Sequence, residues 1–120
     1  MTTIGREMAA ADNRAFLAEW AGKLGHSDAR ERVTALLNLH NGLTYLNHEV
    51  TAYPAEMELI VKGVEKLFEK EGAPLELGLK LLAKTRHETA LEPLKKILKG
   101  NAELRFKQEA LAALEKIPSG

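Results

Sequence analysis

Apolar residues recur along this chain in steps of three and four, and glycine or proline interrupts the recurrence at KLGHSD, AYPAE, KEGAPLE and LKGNAE. Steps of that size lay a stripe along one side of an α-helix, and the interruptions mark helix ends. Six helices are predicted. The first, about 12–24, buries Phe16, Leu17, Trp20 and Leu24, with Asp12 or Asn13 placed to cap it. The second starts after Ser27 and carries Val33, Leu36, Leu37 and Leu39. The third opens on Pro54, which suits a first helical turn, and sets Met57, Ile60, Val61, Val64, Leu67 and Phe68 opposite a face of Glu58, Lys62, Glu65, Lys66 and Glu69. The fourth, about 74–85, shows Leu75, Leu79, Leu81 and Leu82. The fifth, 88–99, shows Leu91, Leu94, Ile97 and Leu98, with Pro93 near its first turn. The sixth, 102–117, follows Asn101 and packs Phe106, Ala110, Leu111, Leu114 and Ile117. No segment alternates with period two. The expected class is all-α.

Short links make consecutive helices antiparallel neighbours, so the six form three hairpins, about 12–50, 54–86 and 88–117. Each hairpin has an apolar helix end, a glycine, a short polar link and a second helix with a small residue before a Leu-rich turn. Ala35 and Ala110 hold the small position in the outer hairpins, and Gly78 takes it in the middle one. Repetition at this length is the signature of a helical array in which each hairpin hides its apolar face against the next. The segment ALEPLKKILKGNAELRFKQEALAALEKI resembles a HEAT repeat of the short bacterial type also found in phycobilin lyases. Pro93, the link KGNAE, Phe106-Lys107, Ala110 and Ala113-Leu114 carry the match, with Lys107 where the pattern has Arg. The first hairpin keeps the Arg as Ala29-Arg30, followed by Val33 and Leu36-Leu37, but lacks the proline; the middle hairpin lacks both. The resemblance is best at 88–117 and implies a short, right-handed HEAT/ARM-like solenoid spanning 12–117, between a flexible segment 1–11 and a tail 118–120.

One stretch breaks the repeat. Comparable leucines stand at Leu37, Leu82 and Leu114, so the first interval is longer than the second, and residues 40–54 (HNGLTYLNHEVTAYP) are the insertion. Val33, Leu36, Leu39, Leu43, Leu46 and Val50 nevertheless form one continuous apolar seam. A helix over 28–50 is expected, in which Gly42 costs up to about 1 kcal/mol relative to alanine; a break at Asn41-Gly42 followed by a short extra helix is the alternative. Residues 33–48 contain no Asp, Glu, Lys or Arg, in a chain that is 28% charged. Such a surface is expected to be covered, by the chain's own helices as an inner layer or by a partner protein, since interface centres lose charge and gain aromatics.

Composition narrows the chemistry. Seventeen basic and seventeen acidic residues cancel, and they cancel in each third of the chain, so neither a phosphate backbone nor a polybasic membrane surface is an expected partner. There is no cysteine, which removes thiolate nucleophiles and Cys-based zinc sites. The opening MTTIGREMAAADN lacks the apolar core of a secretory signal, and no apolar run reaches membrane-spanning length, so a cytoplasmic protein is expected. His40 and His48 stand eight apart, without the i,i+3 or i,i+4 partner that a metal-binding helix uses. RHETALE around His87 starts like a zinc-protease motif but has no second histidine four residues on. Ser27 reads as a helix-start residue and Ser119 lies in the tail. No metal, cofactor or catalytic residue is expected, and no enzymatic activity.

The expected function is a non-enzymatic protein–protein interaction module, a small scaffold or adaptor. The resemblance implies that the second helices of the hairpins line the binding face. The candidate residues there are Arg30, Thr34, Asn38, Tyr45 and His48, then Glu76, Lys80 and Lys84, and Arg105, Gln108 and Glu109. The chain has no obvious polar capping repeat at either end, so homodimerisation through an exposed end is a second expectation. An accessory subunit of a phycobilin-lyase-type enzyme is the alternative from a different class.

Overall fold

The helices form where the apolar stripes fall, with instructive differences at their ends. The computed structural model describes the backbone of residues 3–70 and 74–117, with side chains from residue 11 onward. It contains α1 (Thr3–Lys23), α2 (Ala29–Leu46), α3 (Pro54–Phe68), α4 (Leu75–Thr85), α5 (Leu91–Lys99) and α6 (Leu104–Lys116). Two 3₁₀ segments, Asn47–Ala52 and Glu88–Ala90, precede α3 and α5. Among the described residues there is no strand, and the protein is all-α. The expected tail at 118–120 and the glycine of KEGAPLE lie outside the described residues.

Helix α1 begins at Thr3 rather than near residue 12. The run Ala9–Ala11 has the highest helix propensity available and nothing there stops the helix. Asp12 and Asn13 therefore sit mid-helix, and Asn13 Nδ2 donates to the Tyr53 hydroxyl at 3.1 Å instead of capping. Asp28, not Ser27, caps α2 by accepting from the Arg30 backbone N–H at 2.9 Å. Helix α6 starts later than residue 102, because Glu103 has extended backbone and serves as its N-cap position. Pro54 opens α3 as predicted.

Packing follows two rules. Consecutive helices pair as α1/α2, α3/α4 and α5/α6, and alternate helices also touch, α1 on α3, α2 on α4 and α4 on α6. The result is a slab of 51 × 34 × 18 Å, whose short dimension fits two helix layers about 10 Å apart. Leu17 of α1 and Leu24 just beyond its end, Leu36, Leu39 and Leu43 of α2, and Met57, Ile60 and Leu67 of α3 are fully buried between the layers, as are Leu79, Leu81 and Leu82 of α4 and Leu94 of α5. Each such side chain contributes about 1.5–3 kcal/mol through removal from water. Ala35 and Ala110 are completely buried, as expected of residues at close helix contacts.

The seam of α2 does continue through Gly42. A Cβ there would lie 2.9 Å from Phe16 Cε1, so the glycine lets the α1 phenylalanine lie over α2. Beyond Leu46 the chain tightens into the 3₁₀ segment, and Val50 still reaches the core. Gly78 has a matching role in the middle hairpin, where a Cβ would lie 2.5 Å from Phe68 Cε1 and 3.4 Å from Val64 Cγ1.

Several apolar residues predicted to be buried are not. Phe16, Val33, Leu37 and Leu111 are 38%, 38%, 48% and 52% exposed. α1 and α2 lie at one end of the slab and α6 at the other, so each stripe is wider than the flank its neighbours cover.

Candidate functional site

The row α2–α4–α6 carries most of the predicted binding residues, and the structure places Asn38 and Tyr45, then Glu76, Lys80 and Arg105, and then Lys84 in three separate clefts. On α2, Arg30, Thr34, Leu37, Asn41 and Tyr45 are exposed and Asn38 is half-buried, spaced three and four apart as one helix side requires. Tyr45 is 88% exposed. The uncharged surface of residues 33–48 is thus not an inner layer. The chain covers its apolar seam and leaves the polar side bare, because α1 and α4 flank α2 and no other described helix packs over the rest.

A groove of about 330 Å³ runs between α1 and α2, lined by Asn13, Phe16, Leu17, Asn38, Asn41, Gly42, Tyr45 and Leu46. Among the described residues that line it, none is charged. Phe16 leans toward Trp20 with ring centroids 6.4 Å apart, and the Lys23 ammonium lies 4.3 Å from the Trp20 centroid. The second tyrosine of the inserted stretch behaves oppositely. Tyr53 is 5% exposed, takes the Asn13 hydrogen bond, and has the Arg14 guanidinium 5.5 Å from its ring centroid. Spacing along α2 singled out Tyr45 as a candidate, and nothing in the sequence assigned Tyr53 to the core.

A second cleft, about 420 Å³, lies between the N-terminal ends of α4 and α6 and takes in Glu76, Lys80 and Arg105 beside Leu75, Leu77 and Phe106. Its charges are already engaged: Lys80 pairs with Glu76 at 3.3 Å, and Arg105 pairs with Glu103 at 3.1 Å while lying 4.5 Å from the Phe106 centroid. Exposed pairs of this kind contribute little and break easily. Gln108 is exposed and Glu109 half-buried on α6, and neither lines a cleft.

The third cleft, about 320 Å³, lies where the C-terminal ends of α2, α4 and α6 converge, lined by Leu43, Thr44, Asn47, Ala83, Lys84, Arg86 and Lys116. Lys84 was predicted; Asn47, Arg86 and Lys116 were not. The Arg86 guanidinium donates through Nη1 to His48 Nδ1 and through Nη2 to Asn47 Oδ1 at 3.2 Å. His48 thus belongs to this site rather than to the exposed side of α2. Burial first, and then the Lys84 and Lys80 ammoniums, lower the pKa of the neighbouring His40.

The remaining histidines have structural positions. His87 Nδ1 accepts from the Thr89 backbone N–H at 3.2 Å and caps the 3₁₀ segment, which accounts for RHETALE. His26 Nδ1 accepts from the Asp28 backbone N–H at 2.9 Å in the α1–α2 link. Among the described residues no group of three or more His, Asp or Glu side chains could hold a metal, and no helix is long and apolar enough to cross a membrane. No protein-family model, curated protein or solved structure matches the chain.

Proposed function

We propose that this chain is a non-enzymatic binding module, a short HEAT-like right-handed solenoid that takes a partner protein along the exposed side of α2 and the adjoining α1/α2 groove. The observation that carries the reading is Tyr45: an aromatic side chain 88% exposed on a helix surface without charge, beside the exposed Leu37 and Phe16. Interface centres are depleted in charge and enriched in aromatics, and large apolar side chains grouped on a surface mark contact sites. The asparagines at 38 and 41 supply adaptable hydrogen bonds around that apolar centre. The stacking of α1 on α3 and of α2 on α4 on α6 supports the HEAT-like part, since arrays of this kind pack equivalent helices on one another.

The test is site-specific photocrosslinking in cells, with a benzophenone amino acid at Tyr45 and, as control, at the exposed Lys95 of α5. The expected result is a discrete adduct from position 45 that position 95 does not give. Its mass distinguishes a second copy of the chain from another protein. Identical adduct patterns from both positions would overturn the proposal.

A further inference from the structure

The cleft at the converging C-termini of α2, α4 and α6 is electrostatically unlike the rest of the chain. Three basic residues line it, Lys84 and Arg86 at the end of α4 and Lys116 at the end of α6, and among the described residues no carboxylate does. Among the described residues none of the three forms an ion pair with an acidic side chain. Arginine has five N–H donors. Arg86 directs two of them to neutral acceptors, His48 Nδ1 and Asn47 Oδ1, so its orientation is set while its charge is left uncompensated.

Helix dipoles are the competing explanation, because cations in a last turn offset the exposed carbonyls. Lys84 and Lys116 are indeed last-turn residues of α4 and α6. Each helix C-terminus presents roughly half a negative charge, whereas each side chain brings a full positive one. Three termini therefore offset only part of the three cations, and the cleft retains positive potential.

Backbone conformation gives an independent observation. Asn47 (φ 53°) and Arg86 (φ 52°) are the two non-glycine residues with positive φ among the described residues, and they are bonded to each other across this cleft. The helix-terminating left-handed position that Arg86 holds is one where glycine is the unstrained residue. Strain of this kind clusters at ligand sites.

We infer that this cleft binds the phosphate group of a small phosphorylated molecule. A phosphate presents three acceptor oxygens and nearly two charges, which suits three cations from two converging helix ends better than a carboxylate does. The cleft is larger than a bare phosphate needs, and Leu43 and Ala83 give its floor an apolar part for the attached group. The site is separate from the uncharged α1/α2 groove.

The experiment is an NMR titration of amide shifts with inorganic phosphate, phenyl phosphate and acetate in turn, at constant ionic strength. Saturable shifts confined to residues 43–48, 83–86 and 116 are expected with both phosphates, with acetate at least tenfold weaker. Arg86→Gly removes the guanidinium and suits the left-handed backbone, so it keeps the fold while weakening phosphate by about tenfold, or about 1.4 kcal/mol. Lys116→Gln is the second variant and lowers affinity severalfold. Shifts spread over all the lysines, unchanged affinity in folded Arg86→Gly, or acetate binding as tightly as phosphate would overturn the inference.

Discussion

Replacing each of the two tyrosines in the inserted stretch by alanine separates covered from uncovered surface with one chemical change. Tyr53 is 5% exposed and bonded to Asn13, so Tyr53→Ala leaves a cavity between α1 and the start of α3 and orphans the Asn13 amide. Removing a buried aromatic costs about 3–5 kcal/mol. With an unfolding entropy of roughly 2.1 cal/mol/K per residue, a chain of this length loses about 4 °C of Tm for each kcal/mol. The expected fall is therefore about 12–20 °C. Tyr45 is 88% exposed, and alanine has the higher helix propensity, so Tyr45→Ala shifts stability by at most about 0.5 kcal/mol, or about 2 °C. Thermal unfolding followed by circular dichroism at 222 nm, at two protein concentrations, reads both. A fall of about 8 °C or more for Tyr45→Ala, independent of concentration, would mean that the chain itself covers this tyrosine. The exposed patch on which the proposed function rests would then not exist.

Gly78→Ala gains helix propensity but sets a methyl 2.5 Å from the Phe68 ring position and against Val64, so a net loss of about 1 kcal/mol or more is expected in urea unfolding. Gly63→Ala meets Leu24 Cδ1 at 2.8 Å across the α1/α3 contact and is expected to fall in the same range by the same measurement. His40 has its pKa lowered by burial and by Lys84 and Lys80, so the unfolded chain takes up a proton on this side chain before the folded one does. Stability is accordingly full above about pH 6.5 and declines as the pH falls through the lower folded value. Urea unfolding from pH 7.5 to 5.5 shows the decline, and His40→Gln removes that part of the slope.

Much of the fold was legible because it is local. The stripe of α3, its opening at Pro54, the small residues Ala35, Gly78 and Ala110, and the seam running through Gly42 are set by neighbours three and four residues away. The ends of α1 and α6 were less legible, because Asn13 and Asn101 have the chemistry of caps but α1 runs through Asn13 and Glu103 holds the cap position of α6. Half of the candidate site was read in a similar way. The lack of charge over residues 33–48 marked α2, and spacing placed Arg30, Thr34, Asn38 and Tyr45 on one side of it. His48 could not be placed, because the change from α-helix to 3₁₀ geometry after Leu46 turns it toward Arg86.

The sequence by itself determined that this chain forms six amphipathic helices in antiparallel pairs, because hydrophobic period and chain-breaking residues act over a few positions. Which part of each stripe is covered was decided by tertiary structure alone. Tyr45 and Tyr53 have the same side chain in the same inserted stretch, yet one lies in water and the other beneath α1, since exposure depends on whether a neighbouring helix passes over the position. The phosphate cleft follows the same logic. Lys84, Arg86 and Lys116 are ordinary helix-end cations in sequence, and they become a site because α2, α4 and α6 end side by side.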